Sequence, residues 1–70
     1  MYDTRTYHIQ IHGRVEENEL NALSPLRMKV VHVDIDTTLL AICTDQAGLI
    51  GAIRYLHGLG FALSSVLRER

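Results

Sequence analysis

An α+β fold, with a four-stranded antiparallel sheet covered on one face by two helices, is predicted by three features of this 70-residue sequence. Apolar and polar residues alternate near the amino terminus and again in the middle of the chain, as half-buried strands require. Two segments with helix-entry chemistry, at Glu16-Glu17-Asn18-Glu19 and at Thr44-Asp45-Gln46, separate those strands. A last apolar run, residues 61–67, lies between Gly60 and the charged Arg68-Glu69-Arg70.

The first strand is read from Tyr7, Ile9, Ile11 and Val15, which alternate with His8, Gln10, His12 and Arg14. Acidic residues before Leu20, Ala22 and Leu23, with Pro25 following, predict a helix of about two turns. In residues 28–36, Val31, Val33 and Ile35 alternate with His32, Asp34 and Asp36, and residues 39–43 resume as a denser apolar strand after Thr37-Thr38. These two segments are expected to pair as a hairpin. Thr44 or Asp45 is placed to cap the second helix, whose stripe is Leu49, Ile50, Ile53 and Leu56, and Gly58 and Gly60 are expected to end it in a left-handed conformation. Strand, helix, strand, strand, helix, strand is the ferredoxin-like βαββαβ plan, with strands expected in the order 4-1-3-2. The whole chain, residues 1–70, is read as one such domain.

Composition removes several function classes. Seven Lys plus Arg against eight Asp plus Glu give a net charge of −1 without a basic block, which argues against nucleic-acid binding. No run approaches the roughly 20 apolar residues of a membrane span. The lone Cys43 has no internal partner, and Met1-Tyr2-Asp3-Thr4-Arg5 lacks the apolar core of a signal peptide, so a cytoplasmic location is expected. A chain this short buries a small share of its surface, which favours self-association.

Two resemblances follow from particular residues. Tyr7-His8-Ile9-Gln10-Ile11-His12-Gly13-Arg14, Thr44-Asp45-Gln46-Ala47-Gly48-Leu49 and Leu59-Gly60-Phe61-Ala62-Leu63-Ser64-Ser65-Val66 resemble a family of very short bacterial proteins of uncharacterised function. That resemblance covers nearly the whole chain, matches least over residues 26–38, and implies a stand-alone domain. More loosely, Asp45-Gln46-Ala47-Gly48-Leu49-Ile50 is similar to the Asp-Arg-Pro-Gly-Leu-Leu helix entry of ACT domains, with Ala47 in place of the proline and the motif before the second helix rather than the first. It implies an amino acid or small carboxylate held at Asp45, Gln46 and Gly48, against the plainer reading that Asp45 caps the helix for about 1 kcal/mol and Gly48 permits close packing.

His8 and His12 are expected to project from the uncovered sheet face, with His32, Cys43 and Asp34 as further candidate metal ligands. His8 and His12, four residues apart on a strand, stand about 13 Å apart at roughly 3.3 Å per residue, too far to share an ion. Solvated or interface histidines are the better reading, and no metal or other cofactor is expected. Cys43, in an apolar strand, is read as a small buried hydrophobe rather than a catalytic thiol. No enzyme motif is present. The uncovered face combines His8, Gln10, His12 and His32 with Leu39, Ala41, Cys43, Ser64 and Val66 on some registers, a mixture that association surfaces use. Sheet-face or edge-strand pairing into a homo-oligomer is therefore expected, with Arg54 and Tyr55 as an alternative docking patch for another protein. The resulting expectation is a small noncatalytic interaction or regulatory protein; the alternative is an ACT-like sensor.

Overall fold

Alternation in the first segment produces β1, Arg5–His12, which buries Ile9 and Ile11 and leaves His8 and Gln10 on the opposite face. The computed structural model describes residues 4–22, 24 and 26–69. After β1 come α1 (Glu17–Asn21), β2 (Lys29–Val33), β3 (Thr37–Thr44), α2 (Gln46–Gly58) and β4 (Leu63–Arg68). The four strands form one antiparallel sheet in the order β2-β3-β1-β4, which reads 4-1-3-2 from the other edge. Ile9 and Ile11 of β1, Leu40 and Ile42 of β3, Leu20 of α1, Ala52 and Leu56 of α2 and Met28 form a single core, so both helices lie against the same sheet face.

Several boundaries differ from the sequence expectation for local reasons. β1 ends before Gly13, whose φ of +103° turns the chain away, and Val15 reaches the core from the following loop. Gly13 is held there by two bonds: its N–H donates to the Asp36 carbonyl at 2.5 Å, and its carbonyl accepts from the buried Thr38 hydroxyl at 2.8 Å. α1 is one short turn rather than two, because the Asn21 side chain leaves the helix surface to pair with the backbone of Met28. Leu23 and Pro25, expected near its end, lie outside the described residues, as do residues 1–3 and Arg70. The hairpin turn is Asp34-Ile35-Asp36, not Thr37-Thr38, which belong to β3.

Regular alternation also fails in β2. Val30 pairs with Leu40 and His32 with Leu39, so Val31 is an extra bulged residue, and the faces reverse after it. Val31 is consequently 50% exposed, and Val33 and Ile35 are exposed as well. β4 carries a second irregularity, since Gln10 pairs with Ser65 but Ile11 with Leu63, leaving Ser64 extra. Val66 pairs with Ile9 and so belongs to the helix-covered side; Leu67, opposite His8, takes the place on the open face.

α2 stops as Gly60 adopts φ +94°, while Gly58 remains helical. Gly60 N–H donates to the His57 carbonyl at 3.0 Å and Phe61 N–H to the Leu56 carbonyl at 3.2 Å, the paired bonds of a Schellman cap. Phe61 therefore closes the helix and packs on the core before β4 begins.

Asn21 does for the α1–β2 connection what a strand partner would do. Its Nδ2 donates to the Met28 carbonyl at 2.7 Å and its Oδ1 accepts from the Met28 amide at 2.7 Å, with a further bond from Nδ2 to the Glu17 carbonyl at 2.9 Å. Met28 is fully buried, so removing this side chain orphans a donor and an acceptor. Asn21→Ala is expected to cost about 2–3 kcal/mol in urea unfolding, and Asn21→Asp, which keeps the acceptor alone, less; equal stability of Asn21→Ala and the parent would contradict the role assigned to this clasp.

Candidate functional site

The helix junction at Thr44 to Leu49 is built as a cap. Asp45 takes an extended conformation at the start of α2, and its Oδ1 accepts from the Gly48 amide at 2.8 Å. A β-carbon at Gly48 would stand 1.9 Å from Thr44 Oγ1 and 3.2 Å from Leu26 Cδ1, so glycine is required for the helix to approach β3. The Asp45 carboxylate is thus directed at its own helix, while Gln46 is exposed. The neighbouring concavity, about 190 Å³ and lined by Ser24, Leu26, Gly48, Gly51, Ala52 and Tyr55, is apolar and includes neither Asp45 nor Gln46. Ligand pockets for small molecules commonly measure roughly 300–1,000 Å³ and place polar groups at the ligand.

Tyr55 is not an outward docking residue. It is half-buried, and its hydroxyl donates to the Leu20 carbonyl at 2.8 Å, tying α2 to α1. Arg54 is exposed and lines an open groove with Ile53, His57 and Phe61.

The open face of the sheet brings together most of the other candidates. Register places Lys29, Ala41, His8 and Leu67 in one row across the four strands, and His32, Leu39, Gln10 and Ser65 in the next. His12 follows opposite Thr37, with its Nε2 3.1 Å from Ser64 Oγ, and Cys43 lies at the other end opposite Thr6. Leu39, Ala41, His8 and Gln10 are half-buried at the centre; His12, His32, Lys29 and Cys43 are exposed around them. Leu67 is 64% exposed, a large apolar side chain standing free at the β4 side.

His8, His12 and His32 do share this face, but they are spread over it. Two strand spacings and one row separate His32 from each of the other two, roughly 12 Å at about 4.8 Å per strand. Among the described residues no group of three His, Cys, Asp or Glu side chains is close enough to hold a metal ion. Cys43 is exposed rather than buried, because its place at the end of β3 alternates outward from Ile42 and Thr44. No described helix is long and apolar enough to cross a membrane.

Comparison with known proteins now adds one fact. The model of a domain of unknown function, DUF8691, matches residues 6–67. The chain belongs to the DUF8691 family. The matched span runs from the second residue of β1 almost to the end of β4, so the DUF8691 unit is the whole sheet with both helices. No curated protein and no solved structure matches the chain.

Sequence reasoning missed Asn21, whose sequence context gives no sign that it will bind the backbone of Met28, seven residues later and just before β2. It also missed Leu67, which only the β4 bulge turns outward. Two glycines of α2 provide a contrast. Gly48→Ala is expected to destabilise by about 1–3 kcal/mol through overpacking, because Thr44 is itself 6% exposed and has little room to turn away. Gly51 has nothing within 4 Å of a β-carbon, so Gly51→Ala is expected to stabilise by about 0.5–1 kcal/mol. Thermal melts of the two variants check this, and the same sign for both would refute the packing role of Gly48.

Proposed function

We propose that this chain is a noncatalytic interaction or regulatory domain on a ferredoxin-like plan, and that it self-associates through its open sheet face. The observation carrying this reading is the composition of that face: Leu39 and Ala41 half-buried beside His8 and Gln10 on the two central strands, with exposed Leu67 on β4 and exposed His12, His32 and Lys29 around them. Association surfaces mix apolar and polar side chains in this way. The βαββαβ element order and the 4-1-3-2 strand order support the fold assignment. A single exposed thiol, Cys43, suits a reducing cytoplasm.

The face is a better candidate than the edges. β2 and β4 form the two edges of the sheet, and each carries a bulge, at Val31 and Ser64. Bulges twist an edge and interrupt its ladder, which opposes sheet extension by another copy. Four strands about 4.8 Å apart and roughly five residues long give a face of roughly 300 Å². Specific interfaces bury about 800 Å² per partner, so the association expected is weak and concentration-dependent. The competing reading, a sensor holding an amino acid or small carboxylate at Asp45, Gln46 and Gly48, requires the Asp45 carboxylate to release the Gly48 amide.

Sedimentation velocity from about 10 to several hundred micromolar tests the proposal, the range being that of weak interfaces. A shift from monomer to dimer is expected, and Leu67→Asp, which changes an exposed side chain on the face, should keep the fold and abolish the shift. A strict monomer throughout removes the proposal. A rise in melting temperature with free amino acids would favour the sensor instead.

A further inference from the structure

We infer that the groove between the carboxy-terminal half of α2 and β4 docks a short amphipathic helix of another protein, one whose apolar stripe is flanked by acidic residues. The groove lies on the helix-covered side of the sheet, so it stands apart from the open face and from self-association there. It measures about 1010 Å³, with Ile53, Arg54 and His57 of α2 along one side and Phe61, Ala62 and Leu63 along the other.

The groove exists because α2 leans away from β4. Its Gly48 side packs on Thr44 at the end of β3 and on Leu26, and its Tyr55 hydroxyl is bonded to the Leu20 carbonyl of α1. The far side is left uncovered. Val66 belongs to the helix-covered side through its pairing with Ile9, yet it is 38% exposed, and Ile50, one turn before Ile53 and Arg54, is 45% exposed. Ile50, Ile53, Leu63 and Val66, with half-buried Phe61, thus form an apolar strip that no element of the chain covers among the described residues.

The charged groups beside this strip are basic. From Gln46 to Arg68 the chain contains no Asp or Glu, but it has Arg54, His57 and Arg68. Arg54 is exposed at the groove, and Arg68, opposite Tyr7, lies on the same side of β4 as Val66. Two acidic residues flank the region without lining it. Asp36 sits in the hairpin turn whose carbonyl holds Gly13, next to the Phe61 ring, and Glu69 follows Arg68 onto the open-face side opposite Thr6.

The shape of the site selects a helix over a strand. β4 is an edge, but the extra residue Ser64 interrupts its ladder beside the groove, which opposes strand addition. A docking helix needs no backbone partner. The end of α2 has few acceptors to offer one, since the carbonyls of Tyr55, Leu56 and His57 already accept from Leu59, Phe61 and Gly60, so polar recognition falls to the Arg54 and His57 side chains. The six residues of β4 extend about 20 Å at roughly 3.3 Å each, the length of three to four helical turns. Helices dock in such grooves through apolar residues at positions i, i+3, i+4 and i+7, and carboxylates flanking that stripe would meet the Arg54 guanidinium in charge-assisted hydrogen bonds.

The test is selection on the full chain of a displayed library of random peptides about four helical turns long, followed by fluorescence anisotropy, circular dichroism and amide NMR with the enriched peptide. Enriched sequences are expected to carry apolar residues at helical spacing with Asp or Glu beside them, to become helical on binding, and to shift the amides of Ile53, His57, Phe61 and Leu63. Arg54→Glu and Ala62→Glu, both at exposed positions of the groove, should keep the circular dichroism of the parent and each weaken binding about tenfold or more. A peptide with lysine in place of its acidic residues should prefer Arg54→Glu to the parent. Leu67→Asp should bind as the parent does, which separates the groove from the open face. No enrichment, enrichment without acidic residues, or binding indifferent to both groove variants overturns the inference and leaves self-association to its own test. Amide shifts confined to His8, Ala41 and Leu67 overturn it too and assign the peptide to the open face.

Discussion

The unbroken ladder between β1 and β3 is the constraint on which the other elements depend. Eight consecutive pairs, from Arg5 with Thr44 to His12 with Thr37, run without irregularity through the middle of the sheet. Because side chains alternate with period two, that register alone sets Tyr7, Ile9 and Ile11 beside Ile42, Leu40 and Thr38 on the core side. The same register sends His8, Gln10 and His12 to the other face with Ala41, Leu39 and Thr37. Core and open surface are therefore one choice, and a one-residue slip would exchange them. The irregularities are confined to the outer strands, where an extra residue costs one edge of the sheet and leaves the centre intact.

The helices add little regular structure of their own and are held by specific bonds to the chain around them. α1 has five residues and no side-chain cap, too short to be stable alone. It is secured by buried Leu20, by the Asn21 clasp on Met28, by Glu17 Oε1 accepting from the Val30 amide at 3.2 Å, and by Tyr55 reaching the Leu20 carbonyl. α2 is fixed at both ends by its own backbone, through the Asp45 cap and the Schellman bonds at Gly60 and Phe61. Its start packs tightly on the end of β3, which is why a glycine stands at position 48, and there the Gly48 amide already donates to the Asp45 carboxylate.

What was legible in the sequence follows from the range of the interactions. Element order, the faces of β1 and β3 and the Asp45 cap depend on residues a few positions apart, so periodicity and capping chemistry reveal them. The two bulges depend on how an edge strand meets its neighbour, and nothing in Lys29-Val30-Val31-His32-Val33 marks Val31 as the residue without a partner. A strict alternation therefore counts Val31 with Val33 on the core side, where only Val33 has a partner, Thr38, and in β4 it puts Val66 rather than Leu67 on the open side. Gly58 and Gly60 look equivalent in sequence, yet only Gly60 has a positive φ, because Phe61 must fold back to the Leu56 carbonyl. At the site the same division holds: the faces of His8, Gln10 and His12 were readable from β1 alone, whereas the place of Leu67 on the open face required the register of β4.

Size explains why the open face matters for this fold. Eight buried apolar residues among those described are a modest core, and a 70-residue chain leaves a large share of its apolar surface in water. A second layer on the sheet would bury Leu39, Ala41 and Leu67, but the face also holds the imidazoles of His8, His12 and His32, whose ring nitrogens would need hydrogen-bond partners once out of water. An all-apolar face would bind more tightly and aggregate more readily. Placing histidines among the apolar residues keeps the isolated chain wetted on that side.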